Sequence, residues 1–205
     1  MLTFYILNVL HGLSVVIEHK TEGNSFYGVI DSNANAGDTP KALVKLRELG
    51  ATFLSFVCLT HPHRDHFSGL YSIIHEYRNR IGTFYSFPMG DLLANRRRLS
   101  GLAKKLNRLN KETDAPEIRY ASLELLQIIK WADSKEAKWY ECAGDRNEIA
   151  PSGFADVDIA TILPPRQVTA RFIDKIERQD LTVLGNLEDN DLSLAIEFGY
   201  GNKKW

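Results

Sequence analysis

The sequence predicts a layered α/β domain. Short apolar runs recur at residues 2–9, 13–19, 26–31 and 53–60, as strands do. Segments with helix start and stop residues follow them, and strands followed by helices pack as layers. The chain has 205 residues, 44% of them hydrophobic, so one sizeable core can form.

Residues 2–9 and 13–19 read as two strands separated by His11-Gly12, and Gly28-Val29-Ile30-Asp31 ends a third. A helix is expected from Thr39 to Leu49. Asp38 offers an N-cap, Pro40 suits the first turn, and Gly50 follows the end. Phe53-Leu54-Ser55-Phe56-Val57-Cys58-Leu59 is apolar enough to be a buried strand. A helix is expected from Phe67 to Arg80, then a strand from Gly82 to Phe87. Residues 138–142 and 157–163 are further strands, before a helix from Arg166 to Arg178 and a strand from Leu192 to Phe198. Gly199-Tyr200-Gly201-Asn202 reads as a hairpin turn, with Lys203-Lys204-Trp205 starting the return. There are no repeats and no low-complexity segments.

Residues 89–137 read as two helices separated near Asp114-Ala115-Pro116, inserted in a single domain spanning 1–205. The first carries Arg96, Arg97, Arg98, Lys104, Lys105, Arg108 and Lys111 against Asp91 and Glu112, with a leucine stripe at near-helical spacing. Two readings stay open. The basic face holds phosphates of a nucleic acid or nucleotide, or it is a solvated face of a docked amphipathic helix. The second helix, Glu117 to Ala137, carries Leu123, Leu125, Leu126, Ile128, Ile129 and Trp131, which suit packing.

The chemistry concentrates in Leu59-Thr60-His61-Pro62-His63-Arg64-Asp65-His66-Phe67-Ser68-Gly69, where four metal-ligand residues fall within six positions behind an apolar strand. In an α/β sheet that is where sites are built. Residues two apart on an extended segment point the same way. His61 and His63 can therefore reach one cation together, at about 2.0–2.1 Å if it is zinc. Pro62 keeps the segment extended. Asp65 and His66 are adjacent, and a turn into the following helix lets both face a second cation. Two cations about 3.5–4 Å apart can share a water and lower its pKa. The plainer reading is a polar loop with Asp65 as a helix N-cap.

Net charge is -1 and gives no global drive toward nucleic acid or anionic membrane. No apolar run reaches the length of a membrane span. Met1 to Leu10 lacks the basic lead of a signal peptide and reads better as a strand. Two cysteines, Cys58 and Cys142, suggest no disulfide framework. Cys58 reads as a small buried hydrophobe. A reducing compartment, the cytoplasm, is expected.

The pattern His-x-His-x-Asp-His, filled by His61, His63, Asp65 and His66, resembles the signature of the metallo-β-lactamase superfamily. The opening hairpin (Phe4 to Val9, His11-Gly12, Ser14 to Glu18) and the strand ending at Asp31 are similar to that fold's beginning. Gly144-Asp145-Arg146-Asn147-Glu148-Ile149, the strand Val157 to Leu163 with Pro164, and Asn190-Asp191-Leu192-Ser193-Leu194 resemble the lactamase-like domain of bacterial competence proteins. The resemblance leaves out roughly residues 89–140.

The resemblance implies an αββα sandwich with a helical insertion and a site for two divalent cations. Zinc is the expected ion, with manganese or iron as alternatives. It also implies later ligands, from a Gly-Asp turn and a His-containing loop. The last histidine here is His75, and the sequence stops at Trp205 inside a hairpin. The expectation is thus the N-terminal part of a longer domain, with an incomplete ligand set and a C-terminal sheet edge open to association. Cys142, Asp31 or another acid could stand in for the missing bridging ligand. Leu13 replaces an acid common after the Gly in related chains. His11 either lines the site or bonds to backbone.

The expected function is a metal-dependent hydrolase cleaving a phosphodiester by metal-activated water, with Asp65 able to orient that water or accept a proton. The basic helix tilts the substrate toward phosphodiesters. Alternatives are attack on a thioester, lactam or lactone by the same site, or an interaction domain that keeps the fold without a complete site.

Overall fold

The computed structural model describes residues 1–35, 37–61, 63–87, 116–142, 146–162, 194–201 and 203–204. The basic first helix expected in the 89–137 stretch, the helix at 166–178, Gly144-Asp145 and Asn190 to Ser193 lie outside the described residues.

Six strands form one mixed sheet: β1 (Leu2–Ile6), β2 (Val15–Lys20), β3 (Ser25–Ile30), β4 (Leu54–Leu59), β5 (Ile81–Ser86) and β6 (Lys138–Glu141), in that spatial order. The first three pair antiparallel. From β3 onward the pairing is parallel. A second, antiparallel sheet joins β7 (Arg146–Ile149), β8 (Val157–Ile162), β9 (Ala195–Tyr200) and β10 (Lys203–Lys204) in the order β10-β9-β8-β7. Four helices are described: α1 (Lys41–Glu48), α2 (Arg64–Phe67), α3 (Leu70–Glu76) and α4 (Pro116–Asp133).

Strand alternation splits the core in two. Val16, Val29, Val57, Leu59 and Phe84 face the helices, packing with Leu43 and Leu46 of α1, Ile73 and Ile74 of α3, and Leu126 and Ile129 of α4. Val15, Ile17, Ile30, Phe56, Cys58 and Tyr85 face the second sheet, against Ile149, Val157, Ile159 and Phe198. Every residue of β4 is buried, as a strand covered on both faces must be. The Phe56 ring meets Phe154 edge-on at 5.5 Å. It also lies across Gly28, its register partner on β3, where a Cβ would stand 2.3 Å from the ring.

The structure refines several expected elements. Asp38 does not cap α1: its carboxylate accepts from the Asn35 amide at 3.1 Å, and Pro40 takes the cap position. The helix expected from Phe67 to Arg80 is two pieces. Ser68 is extended and Gly69 left-handed (φ 83°), so the chain bends between α2 and α3 before α3 ends at Glu76. β7 adds a strand that apolar periodicity did not mark. The hairpin at Gly201 and the short returning strand are present.

Candidate metal centre

The site stands at the C-terminal ends of the parallel strands β3 and β4. Asp31 follows β3, and Thr60 and His61 follow β4. The Asp31 amide continues the ladder onto the Cys58 carbonyl at 2.9 Å. Asp31 itself is left-handed (φ 54°), a conformation that aspartate tolerates better than most residues. That turn buries its carboxylate completely beneath the histidine loop.

Three donors converge on this carboxylate. The Thr60 amide donates to Oδ1 at 2.7 Å, and the Thr60 hydroxyl to Oδ2 at 2.5 Å. His66 Nδ1 lies 2.7 Å from Oδ2. Burial pushes the Asp31 carboxyl above its ordinary range, and the bonds from His66 and Thr60 oppose that rise. With Nδ1–H committed to Asp31, His66 presents Nε2 as its lone-pair nitrogen. The Ser32 amide then donates to the His66 carbonyl at 2.8 Å, holding the same turn by its backbone.

His61 and His63 are both buried, while Asp65 and His66 are partly exposed. The ring centroid of His61 is 3.7 Å from that of His66 and 4.6 Å from that of His63. Asp65 Oδ2 is 3.8 Å from His66 Nε2. Two overlapping groups have ligand atoms within 4.8 Å of one another: His61, His63 and Asp65, and Asp31, His61 and His66. His61 belongs to both. In the second group the Asp31 oxygens accept three hydrogen bonds, and the one from His66 is of the kind that orients a metal ligand.

These donors suit a cation. Among the described residues His61 Nε2 is buried and has no hydrogen-bond partner. An orphaned ring nitrogen in such a place costs free energy unless a ligand satisfies it. Burial, then the neighbouring His66 and His63, pull the His61 imidazolium down to about 3, so the ring is neutral, as a metal ligand must be. Imidazole with carboxylate is a donor set that zinc, iron and manganese accept.

The remaining expected residues fall outside both groups. Cys142 is buried between the sheets, and Cys58, also buried there, has its thiol pushed well above the ordinary range. His11 is exposed, and its carbonyl accepts from the Asn33 amide at 2.6 Å. Its neighbour Gly12 packs directly on the metal loop, where a Cβ would stand 1.9 Å from the Asp65 carbonyl oxygen. Leu13 packs against the inter-sheet core.

The sequence singled out the four candidate ligands but not the groups that hold them in place. Thr60 looked like an ordinary strand end. Glu124 gave no signal at all, yet its carboxylate accepts from the amides of Gly69 and Tyr71, just beyond the ligand turn.

No protein-family model matches this chain, and no curated protein matches it. Among the described residues no helix is long and apolar enough to cross a membrane.

Proposed function

We propose that the chain is a metal-dependent hydrolase of the metallo-β-lactamase type, acting on a phosphodiester of a nucleic acid or nucleotide. The observation that carries the reading is the pair of overlapping ligand groups at the ends of β3 and β4, His61 with His63 and Asp65, and His61 with His66 and Asp31, with His66 oriented by Asp31. Two facing sheets with helices outside the first are what an αββα sandwich requires of these segments.

His61 and His63 would hold one divalent cation and Asp65 and His66 the other, with Asp65 also in reach of the first, zinc being favoured. Such ions supply a water of lowered pKa and stabilise charge on a phosphoryl oxygen. The protein's own work is placement. Asp31 keeps Nε2 of His66 turned to the site. Burial keeps His61 neutral. Asp65, close to the His61–His63 pair and to His66, orients a water and takes its proton. The run with Arg96, Arg97, Arg98, Lys104, Lys105 and Arg108 is basic in sequence, which favours a phosphodiester over a neutral substrate.

The test is hydrolysis of bis(p-nitrophenyl) phosphate and of a short single-stranded DNA by the zinc- or manganese-loaded chain. Turnover is expected, and Asp65→Asn should lower it by about 10²–10⁴-fold. Cleavage of a thioester or lactone with both phosphodiesters untouched would overturn the substrate assignment.

A further inference from the structure

The turn that carries His63, Asp65 and His66 has two tethers. One is on the page already: Asp31 and Ser32, from β3, hold His66 by its ring and its carbonyl. The other comes from α4. Glu124 Oε1 accepts from the Gly69 amide at 2.7 Å and from the Tyr71 amide at 3.3 Å.

Gly69 and Tyr71 stand at the start of α3, where backbone amides have no partner within the helix. Local sequence provides nothing for them. The cap residue is a glycine with no side chain of its own to offer, and the first turn of the helix holds no acid. The carboxylate that fills the gap lies 55 residues further along the chain. A negative group at this pole also interacts favourably with the helix dipole.

The arrangement carries a burial cost. Glu124 is 5% exposed, and among the described residues its Oε2 is buried without a hydrogen-bond partner. Burial pushes the acid up to about 7, against the pull of the two amides and of Arg64 in the ligand turn. A glutamine would make the same two bonds without that burden. Gly69 has little freedom to adjust, since its left-handed backbone sits against Pro40, whose Cγ would be 2.6 Å from a Cβ there. Ser68 and Gly69 are the joint between α2 and α3, so whatever fixes Gly69 fixes the exit angle of the ligand turn.

We infer that Glu124 is a positioning residue for the ligand turn, acting through the amides of Gly69 and Tyr71. The inference rests on the metal reading of that turn. On this account α4 braces the site from the helical layer as β3 braces it from the sheet.

The experiment compares the intact chain with Glu124→Ala and Glu124→Gln, by hydrogen exchange and by zinc affinity. The Gln variant keeps an acceptor oxygen for both amides and separates loss of the clamp from loss of the charge. In Glu124→Ala, amides of residues 63–71 should exchange about tenfold faster while β2 and β3 keep their protection. Zinc affinity should fall about 10–100-fold in the same variant. Glu124→Gln should keep wild-type protection or better, and zinc affinity within about threefold. Unchanged protection of 63–71 in Glu124→Ala would overturn the inference. So would faster exchange spread equally through β2 and β3, or wild-type zinc affinity in that variant. Local loosening in a chain that binds no zinc in any form would support the clamp and sink the metal reading instead.

Discussion

Asp31 Oδ2 lies 2.7 Å from His66 Nδ1, and this pair sets which nitrogen His66 offers to a cation. Asp31→Asn tests it without disturbing the backbone, because asparagine also accepts the left-handed conformation at this position. An amide N–H turned toward His66 would move the ring proton to Nε2 and block the ligand nitrogen. Zinc affinity should fall about 10–100-fold, measured by competition with a chelator. Wild-type affinity would remove Asp31 from the site's machinery.

Gly12 and Asp65 make a second such relationship. A Cβ at Gly12 would overlap the Asp65 carbonyl, and Gly12 is left-handed with φ 76°. Gly12→Ala should displace the Asp65 loop and weaken zinc binding about tenfold or more, as outer-shell changes at metal sites do. An alanine variant with unchanged affinity would show that the hairpin loop gives way instead.

Gly28→Ala probes the fold rather than the site. The added methyl would enter the Phe56 ring between the sheets, and overpacking of this kind costs about 1–3 kcal/mol. Urea denaturation should show that loss. Adding Phe56→Leu should recover part of it by making room. If the double variant is less stable than the sum of both changes, the overlap is not the cause.

Glu124 makes stability depend on pH. Its acid is raised from an ordinary 4.5 to about 7 by burial. Between those values the folded chain keeps a proton that the unfolded chain has released. The native state then binds more protons, so stability falls as pH rises through this window and levels off above it. Glu124→Gln lacks the titration and should gain about 2–3 kcal/mol on the wild type between pH 5 and pH 8. Parallel urea-midpoint curves for the two proteins over that range would contradict the assignment.

Much of this was legible in the sequence, for reasons that are local. The run Leu54 to Leu59 is apolar throughout, and the structure buries all of it. His61, His63, Asp65 and His66 are close in sequence, so a short turn brings them together. What depended on distant partners was hidden. Asp31 offered itself as a possible substitute ligand, and only the fold shows that it sits beside His61 and His66 with its oxygens bonded to Thr60 and His66. Asp38 had a helix start beside it but found Asn35 instead. The break at Ser68-Gly69 was overrun because the apolar pattern of Phe67, Leu70, Ile73 and Ile74 continues across it. Glu124 sits among core residues of α4 and does its work on a different helix.

The most direct test of the central claim is elemental analysis of metal in the purified chain beside the His61→Ala/His63→Ala double variant. About two divalent ions per chain, lost together with both imidazoles, is the expected result for a two-metal site. A wild-type chain that holds no metal after exposure to zinc, manganese or iron would contradict it. The buried His61 nitrogen would then need some other partner.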